Sequence, residues 1–493
     1  MKKKVIVVVV DSLLPGPLEM AMSNGKAPNM QQLAAKGKFI KDGVTVFPTM
    51  SSAIDTSLVT GVFPDEHKVP GLVWYDAQEN RVINYGSSFG TVWRLGFRNV
   101  VEDILYHLNE KHISKFVSTI FEDLASEGLS TGNISLAAHR GNTSHEVTLP
   151  WLVKLLTMFA LNKPVRGAEI LSLGRFTDVE LYQPYQLQAP TSAWKRYGVN
   201  DTYAVALFRE IVRQNALPDF ISVYLPDLDQ AVHKHGTKGV IEEITKVDTR
   251  IGHMMESMGG VESATEQAVW ILTSDHGQTD IHPGSDGQID LRDILQNFTI
   301  HNFRKPINPA TLDVLICNNE RMAYLYTFRM KRDPLVDALK EDHRIDFIAY
   351  PREKHVVVEK RYHGEKTPRD AQLIFSKDGP YEDIYGQTWN IQGDAALLDI
   401  KINDMQLCYE QYPDALRRLF GATHAHSTDN VLTVTAKPGF EFQSQGSAKH
   451  GAGASHGSLH RQDSLIPMII AGTDRMPKHA RLVDLKEFVI SLL

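Results

Sequence analysis

Acidic residues and histidines follow three separate apolar runs of the chain. The runs VIVVVV, FISVYL and VWILT are followed by Asp11, by Asp227 and Asp229, and by Asp275 with His276, respectively. A carboxylate beside an imidazole is costly to bury unless a positive charge binds it. These residue types at three run ends therefore predict a place where carboxylates and imidazoles meet around cations.

Two further histidines extend this ligand set. Asp229 and His233 are four residues apart, a spacing that puts both side chains on one face of a helix. His456 precedes the apolar run LIPMIIAG. Three aspartates and three histidines supply six oxygen and nitrogen donors, which suits two divalent ions of the zinc type. In the alternative interpretation each Asp–His pair is a solvated surface pair, but their joint placement at three run ends favours a metal site.

A hydroxyl group in the segment VFPTMSSAIDTSLVTG is the candidate nucleophile. Pro48 stops the preceding strand and a helix is predicted over 52–60, so Ser51 lies at or near the helix N-cap. Free N–H groups at a helix N-terminus favour anions. A serine hydroxyl that also touches a divalent ion ionises more easily and can attack phosphorus. The alternative is that Ser51 simply caps the helix.

Short β-branched runs alternate with helical stretches, which is typical of an α/β fold with a mostly parallel sheet flanked by helices. Strands are predicted at 4–10, 219–225, 268–273, 431–436 and 466–471. Helices are predicted at 28–36, 52–60, 101–127, 200–215, 230–257 and 484–492. In such sheets ligands bind outside the carboxyl ends of the strands, which is where the acidic residues are expected.

Two regions interrupt the alternation and are predicted to be insertions. The catalytic core is expected to comprise 1–284 and 431–493, with a helical insertion at about 76–200. Residues 285–430 hold short strands such as HVVVEKRY and many turn residues. We interpret 285–430 as a smaller inserted α+β cap that could cover the site.

Composition limits the class of protein. The chain has 493 residues, 42% of them hydrophobic, and a formal net charge of −7, without the basic footprint of a protein that binds a nucleic-acid duplex. Cys317 and Cys408 give no disulfide framework. The N-terminal apolar run is short and ends at an acid, unlike a secretory signal. We predict a cytoplasmic location, while the oligomeric state stays open.

The segment LPWLVKLLTMFAL, residues 149–161, is interrupted by Lys154 and is too short to span a membrane. It is interpreted as a core or insertion helix. An interfacial helix on a membrane surface is the alternative.

Five segments together resemble the alkaline phosphatase superfamily, in particular its type I phosphodiesterase/nucleotide pyrophosphatase branch. They are VVVVDSL, FPTMSSAIDTSLVTGVFPDEHKVPG, YLPDLDQAVHKHG, LTSDHGQ and SHGSLHRQDSLIPMIIAG, in the order of the family and from end to end of the chain. The resemblance implies an alkaline phosphatase-like core. It also implies a metal-dependent hydrolase of phosphate esters, a phosphodiesterase or phosphomonoesterase, that acts on a small phosphorylated substrate.

The resemblance also implies roles for individual residues. One ion would be held by Asp11, Ser51, Asp275 and His276, and the other by Asp229, His233 and His456. Counting back nine residues from Thr60 of VTG places the nucleophile at Ser51, which would form a covalent phospho-serine. Thr49 and Ser52 stay open as alternatives to Ser51, and His450 as an alternative to His456. Zn2+ is expected, with Mn2+ as the alternative.

One departure from the family bears on the substrate. Where the branch typically reads Thr-Phe-Pro-Asn, this chain reads Ser51-Ser52-Ala53-Ile54, so the asparagine that binds a substrate oxygen is missing. This argues against nucleotide pyrophosphatase activity, although Asp55 could replace the asparagine. Two other functions stay open, namely phosphoryl transfer of the cofactor-independent phosphoglycerate mutase type and a non-catalytic metal-bound sensor of phosphates or lipid headgroups.

Overall fold

A twisted central sheet organises the molecule. The computed structural model describes residues 3–158, 161, 163–177, 187–329, 331–364, 368–451 and 453–493. Within this part of the chain the central sheet has seven strands, in the spatial order Gly37–Val44, Leu465–Ala471, Ala268–Thr273, Lys4–Val10, Phe220–Leu225, Thr131–Ile134 and Ile170–Ser172. Only Leu465–Ala471 runs against the others. The predicted α/β class with a mostly parallel sheet is confirmed.

The central strand Lys4–Val10 shows why the sheet is buried on both faces. Val5, Val7 and Val9 point into one hydrophobic core, while Ile6 and Val8 point into the core on the opposite face. Successive side chains of a strand alternate between faces, and a strand covered on both faces carries a continuous apolar run. The acid that ends this run therefore marks the edge of the sheet.

Helices cover both faces of the central sheet. Those packed on the face of Ile6 are Pro15–Ser23, Pro28–Ala35, Asp201–Arg213, Ile241–Ser257 and Val261–Gln267. Those packed on the face of Val5 include Ser51–Thr60, Ile120–Ser126 and Leu485–Leu492. The remaining α-helices are Pro64–His67, Phe89–Leu95, Phe97–Glu102, Trp151–Leu156, Asp227–His235, Leu291–Ile294, Asp333–Lys340, Ala415–Thr423 and Arg461–Ser464, and Asp103–His112 is π-helical.

A second, mostly antiparallel sheet lies in the C-terminal half. Its strands are Val314–Asn319, Met322–Thr327, Val431–Ala436, Ile345–Arg352, His355–Tyr362, Arg369–Asp383, Gln406–Tyr409 and Ile400–Asn403, with Thr388–Gly393 paired to Arg369–Asp383. Side chains of both sheets meet in one hydrophobic core, which contains Val5 and Tyr324.

The second sheet corrects the boundary predicted from the sequence. The strand 431–436 has the predicted bounds, but it pairs with Met322–Thr327 and Ile345–Arg352 of the second sheet and not with the core. The chain returns to the central sheet only at Leu465–Ala471. A strand's own sequence sets its length and burial, whereas its partners are set by distant segments.

The region 76–200 also differs from the predicted helical insertion. Thr131–Ile134 and Ile170–Ser172 extend the central sheet from within it. The helix predicted at 101–127 is broken, because Thr119 and Glu122 form a capping box that starts a separate helix at Ile120. The helix predicted at 230–257 is likewise two helices, since Gly236, with φ of 73°, follows Asp227–His235.

The apolar segment 149–161 forms a helix only at Trp151–Leu156, and residues 159–160 lie outside the described part. Val153 is buried, but Trp151 is 73% exposed and Leu155 50% exposed, so this is a surface helix and not a core helix. Among the described residues, no helix is both long and apolar enough to cross the bilayer. The interfacial alternative stays a prediction.

Candidate active site

Three adjacent parallel strands bring the predicted aspartates together. Lys4–Val10 lies between Phe220–Leu225 and Ala268–Thr273, and parallel pairing aligns their carboxyl ends. Asp11 follows the end of Lys4–Val10 directly, and Asp275 follows the end of Ala268–Thr273 after Ser274 alone. The acidic residues therefore collect at one edge of the sheet, as the sequence predicts for a ligand site of an α/β protein.

Asp11, Asp275 and His276 form a first group, the strand-end subsite. His276 Nε2 lies 3.6 Å from Asp11 Oδ1 and 3.4 Å from Asp275 Oδ2. Asp275 and His276 are fully buried, yet Asp275 Oδ2 and His276 Nε2 have no hydrogen-bond partner among the described residues. Buried polar atoms are otherwise almost always paired. Oxygen and nitrogen atoms that face each other without a hydrogen-bond partner fit the coordination of a cation.

Asp229, His233 and His456 form a second group, the histidine subsite. Asp229 Oδ1 lies 3.2 Å from His233 Nε2, one helical turn away on Asp227–His235. The ring of His456 stacks on that of His276 with 3.7 Å between centroids. Asp229, His276 and His456 offer ligand atoms within 4.8 Å of one another, so the two subsites are contiguous.

Two residues that the sequence did not single out hold the aspartates in place. The Ser12 hydroxyl donates to Asp229 Oδ1 at 2.8 Å, and the Ser12 backbone N–H donates to Asp275 Oδ1 at 3.1 Å. Gln278 Nε2 donates to Asp229 Oδ1 at 2.7 Å. Ser12 has φ of 60°, a strained conformation that is frequent at functional sites. Their only sequence signal is that they neighbour Asp11 and the pair Asp275–His276.

Ser51 is the first residue of the helix Ser51–Thr60, one residue before the predicted start. Met50 occupies the N-cap and no side chain caps this helix, so Ser51 is not the capping serine of the alternative interpretation. The Thr49 hydroxyl, by contrast, already has two hydrogen-bond partners. It accepts a hydrogen bond from the Gly457 N–H at 2.8 Å and donates one to a backbone carbonyl. The Ser52 hydroxyl is buried without a partner among the described residues.

The segment before the nucleophile contacts the histidine subsite directly. His456 Nδ1 donates to the carbonyl oxygen of Thr49 at 2.6 Å. This bond fixes the tautomer of His456 with a lone pair on Nε2. It also places the turn that carries Ser51 beside a predicted metal ligand.

The side chains after Ser51 differ in character from the family pattern. Ile54 is fully buried in the hydrophobic core, so it does not replace an asparagine at the site. Asp55 is 2% exposed and accepts a hydrogen bond from the Ala137 N–H at 3.3 Å. Burial and the charge of Asp275 raise the pKa of Asp55 well above its usual value. A neutral Asp55 carboxyl would not repel a phosphate.

Glu320, in the turn between Val314–Asn319 and Met322–Thr327, is a further acid at the site that sequence reasoning missed. Its Oε2 lies 3.5 Å from His456 Nε2, and its Oε1 lies 4.0 Å from His233 Nε2. No motif marks Glu320, because it reaches the site from the second sheet. His450, the predicted alternative to His456, lies beside it with 3.9 Å between His450 Nε2 and Glu320 Oε1.

The two subsites have opposite electrostatics. In the strand-end subsite, burial and the charges of Asp229 and Asp275 raise the pKa of Asp11 well above its usual value. Like charges that are buried together favour the protonated form. The strand-end subsite therefore carries uncompensated carboxylates that a cation would neutralise.

In the histidine subsite the charges compensate one another. Burial opposes the charging of His233, but the carboxylates of Asp229 and Glu320 raise its pKa to about 10. Burial likewise opposes ionisation of Glu320, and His456 and His233 lower its pKa to about 2. His233 and the two carboxylates thus stabilise each other's charged forms, whereas burial lowers the pKa of His456 to about 4 and keeps this imidazole neutral.

The chain matches a family model over most of its length. The model, described as type I phosphodiesterase / nucleotide pyrophosphatase, matches residues 5–458. The matched region contains all seven residues predicted to bind metal or substrate. None of the curated proteins compared with the chain matches it significantly.

Solved structures share the fold. Murine ectonucleotide pyrophosphatase/phosphodiesterase 5 superposes with a TM-score of 0.57 at 13% identity, covering 99% of this chain and 95% of that one. An inactive variant of the murine protein, in complex with AMP, gives 0.58 at 14% identity, with 100% and 95% covered. The human protein gives 0.57 at 13% identity, with 99% and 94% covered. At such identity the likeness concerns the fold.

Proposed function

The chain belongs to the type I phosphodiesterase/nucleotide pyrophosphatase family, and on that premise we propose that it hydrolyses small phosphodiesters through a phospho-serine formed on Ser51. Family membership makes it a phosphoester hydrolase of the phosphodiesterase/nucleotide pyrophosphatase type. It favours hydrolysis over transfer of the phosphoglycerate mutase type and over the non-catalytic sensor.

The observation that carries the proposal is the convergence of donors from separate parts of the chain. We assign one ion to the strand-end subsite with Ser51, and the other to the histidine subsite. The partnerless atoms Asp275 Oδ2 and His276 Nε2 support the first ion. The nitrogen and oxygen donors are those that zinc prefers, and manganese accepts them too.

When bound, such ions supply Lewis acidity, which polarises phosphate oxygens and eases ionisation of a neighbouring hydroxyl. The charges of the chain suit this role. Two dications carry four positive charges, against four negative charges from Asp11, Asp229, Asp275 and Glu320. The site would then accept an anionic substrate, because the carboxylates do not outweigh the cations.

The chain itself positions the reacting groups. The Ser51 hydroxyl gives up its proton as Oγ attacks phosphorus, the bond to the leaving alcohol oxygen breaks and that oxygen takes up a proton. Water then hydrolyses the phospho-serine, which releases the phosphate and returns a proton to Ser51 Oγ. The helix Ser51–Thr60 has no side-chain cap, so the free N–H groups at its start would stabilise the negative charge of phosphoryl oxygens bound there. Ser12 and Gln278 keep the two aspartates in fixed orientations.

A phosphodiester with a nucleotide-like portion is the proposed substrate. The AMP complex of the murine variant supports a small nucleotide in this fold. The replacement of asparagine by the buried Ile54 argues that pyrophosphates are poorer substrates than simple diesters.

Ser51→Ala tests this function, with Ser52→Ala as the matched control at the adjacent hydroxyl. We expect Ser51→Ala to lower the hydrolysis of bis-p-nitrophenyl phosphate by at least about 10³-fold, because the nucleophile is lost, while bound metal, measured by elemental analysis, is largely retained. Ser52→Ala should keep most turnover. Wild-type rates in Ser51→Ala would exclude the phospho-serine. Conversion of 3-phosphoglycerate to 2-phosphoglycerate without free phosphate would instead support a mutase.

A further inference from the structure

Three imidazoles surround the single carboxylate of Glu320. His456 Nε2 lies 3.5 Å from Glu320 Oε2, and His233 Nε2 and His450 Nε2 lie 4.0 Å and 3.9 Å from Glu320 Oε1. His233, Glu320 and His450 offer ligand atoms within 4.8 Å of one another. Bonds of about 2.0–2.1 Å from zinc to nitrogen or oxygen bring donors to spacings only slightly shorter than these.

Each of the three imidazoles is oriented through its other nitrogen. His233 Nδ1 donates to the Ala454 carbonyl at 2.8 Å, and His456 Nδ1 donates to the Thr49 carbonyl at 2.6 Å. His450 Nδ1 bonds to Glu441 Oε2 at 2.6 Å. All three Nε2 atoms therefore face Glu320. A metal-binding histidine characteristically ties its second nitrogen to a carbonyl or a carboxylate in this way.

His450 is held as firmly as the ligands implied by the family. Its backbone N–H donates to Glu441 Oε1 at 2.9 Å, and Glu441 is 1% exposed. Its ring stacks on the ring of His233 with 4.2 Å between centroids. His450 is thus a neighbour of His456 in the site and not merely its alternative.

The backbone at Glu320 is strained, and neighbouring contacts hold it in place. Glu320 has φ of 62°, which is unfavourable for a side chain other than glycine. The next residue, Arg321, donates its N–H to the His456 carbonyl at 2.9 Å and forms a fully buried ion pair with Asp463. Gly457, with φ of 119°, allows this approach, since a Cβ there would meet the Asn319 carbonyl oxygen at 2.4 Å. Strain of this kind persists where the surroundings fix it, often at functional sites.

We propose that Glu320 and His450 are ligands of the ion in the histidine subsite. Glu320 and His450 form one group of ligand atoms with His233, next to Asp229 and His456, and zinc and manganese both accept five donors. The strand-end subsite has three side chains and Ser51. The histidine subsite therefore binds its ion more tightly than the strand-end subsite does. This inference rests on the proposed two-ion function.

Competition for Zn2+ with a chromophoric chelator tests the assignment, and elemental analysis counts the bound ions. The background is Asp275→Asn, which isolates the histidine subsite by impairing the other. In this background Glu320→Gln and His450→Gln should each weaken zinc binding by at least about tenfold, because loss of even an outer partner of a metal-binding histidine costs about 10–100-fold. His235→Gln is the matched control, since His235 is exposed on the same helix.

The outcomes separate the two proposals. Unchanged zinc affinity in both Glu320→Gln and His450→Gln overturns this inference. So does a third ion in the wild type that only these variants lose, because they would then form a separate site. A wild-type protein that binds no divalent ion, or that does not cleave bis-p-nitrophenyl phosphate, overturns the proposed function instead. Circular dichroism in chelator shows which variants fold, and Glu441→Gln, with an expected weakening of about 10–100-fold, gives a third measurement outside the ligand shell.

Discussion

The two subsites lie side by side but are built in different ways. The strand-end subsite comes from the ends of adjacent strands, and it concentrates buried carboxylates with raised pKa values. The histidine subsite draws on a helix, a loop and a hairpin of the second sheet, and its imidazoles balance its carboxylates. Parallel strands thus place like charges together at one edge of the sheet without help from other elements. The opposite charges that compensate them have to come from residues outside the sheet. We expect the first subsite to depend on its cation for stability and the second to depend on it less.

Asp275→Asn should break this asymmetry with the largest effect. The variant loses a ligand of the strand-end subsite, so hydrolysis of bis-p-nitrophenyl phosphate should fall by at least about 10³-fold, as for other parts of a catalytic unit. Elemental analysis should still find about one ion per chain, held by the histidine subsite. A variant that keeps both ions and its activity would contradict the assignment of Asp275.

Removal of metal should lower the stability of the wild type. An ion that binds only the folded state at a thousand times its dissociation constant contributes about 4 kcal/mol. Thermal unfolding with excess Zn2+ and with chelator measures this effect. We expect a smaller difference in Asp275→Asn, because one ion and one buried like charge are both absent there. Equal differences in the two proteins would argue that the strand-end subsite holds no ion.

Gln278→Leu should mainly affect one side of the comparison, because the amide of Gln278 reaches the strand-end subsite only through Ser12 Oγ, to which it donates at 2.9 Å. Its amide donates to Asp229 and not to the ligands of the strand-end subsite. Loss of such an orienting bond should weaken zinc binding at the histidine subsite by about 10–100-fold. Competition with a chelator measures the zinc affinity. Gln462→Leu is the control, because the side chain of Gln462 bonds to Thr279 and not to a predicted metal ligand.

Asp55→Asn should give the smallest effect, which is seen as a change with pH. The pKa of Asp55 is raised in the folded state, so at pH 8 the unfolded chain, in which Asp55 ionises more easily, is favoured over the folded one. The measurement is made with chelator present, so that no metal binds. The destabilisation that Asp55 causes at pH 8 then disappears as the pH falls through the folded-state pKa of Asp55. Asp55→Asn should therefore melt at a higher temperature than the wild type at pH 8, with the difference closing at lower pH. A difference that is constant with pH would contradict the raised pKa.

The strands and the spacing of the ligand residues could be predicted from the sequence, because both depend on neighbouring residues of the chain. The run before Asp11 and the four-residue spacing of Asp229 and His233 both correspond to observed structure. Contacts set by distant segments could not be predicted in this way. Glu320 enters the site through a strained turn, and the strand 431–436 pairs outside the predicted core.

The buried ion pair of Arg321 with Asp463 joins a hairpin of one sheet to the segment leading into the other. Separation of the two sheets would leave two unpaired charges in an apolar interior. The free energy needed for this is much larger than the free energy of losing a surface contact. The molecule should accordingly melt in a single cooperative step, and a protease that nicks residues 285–430 should release no independently folded fragment. Evolution could lengthen the loops of this region, but it could not discard the region and keep a working enzyme.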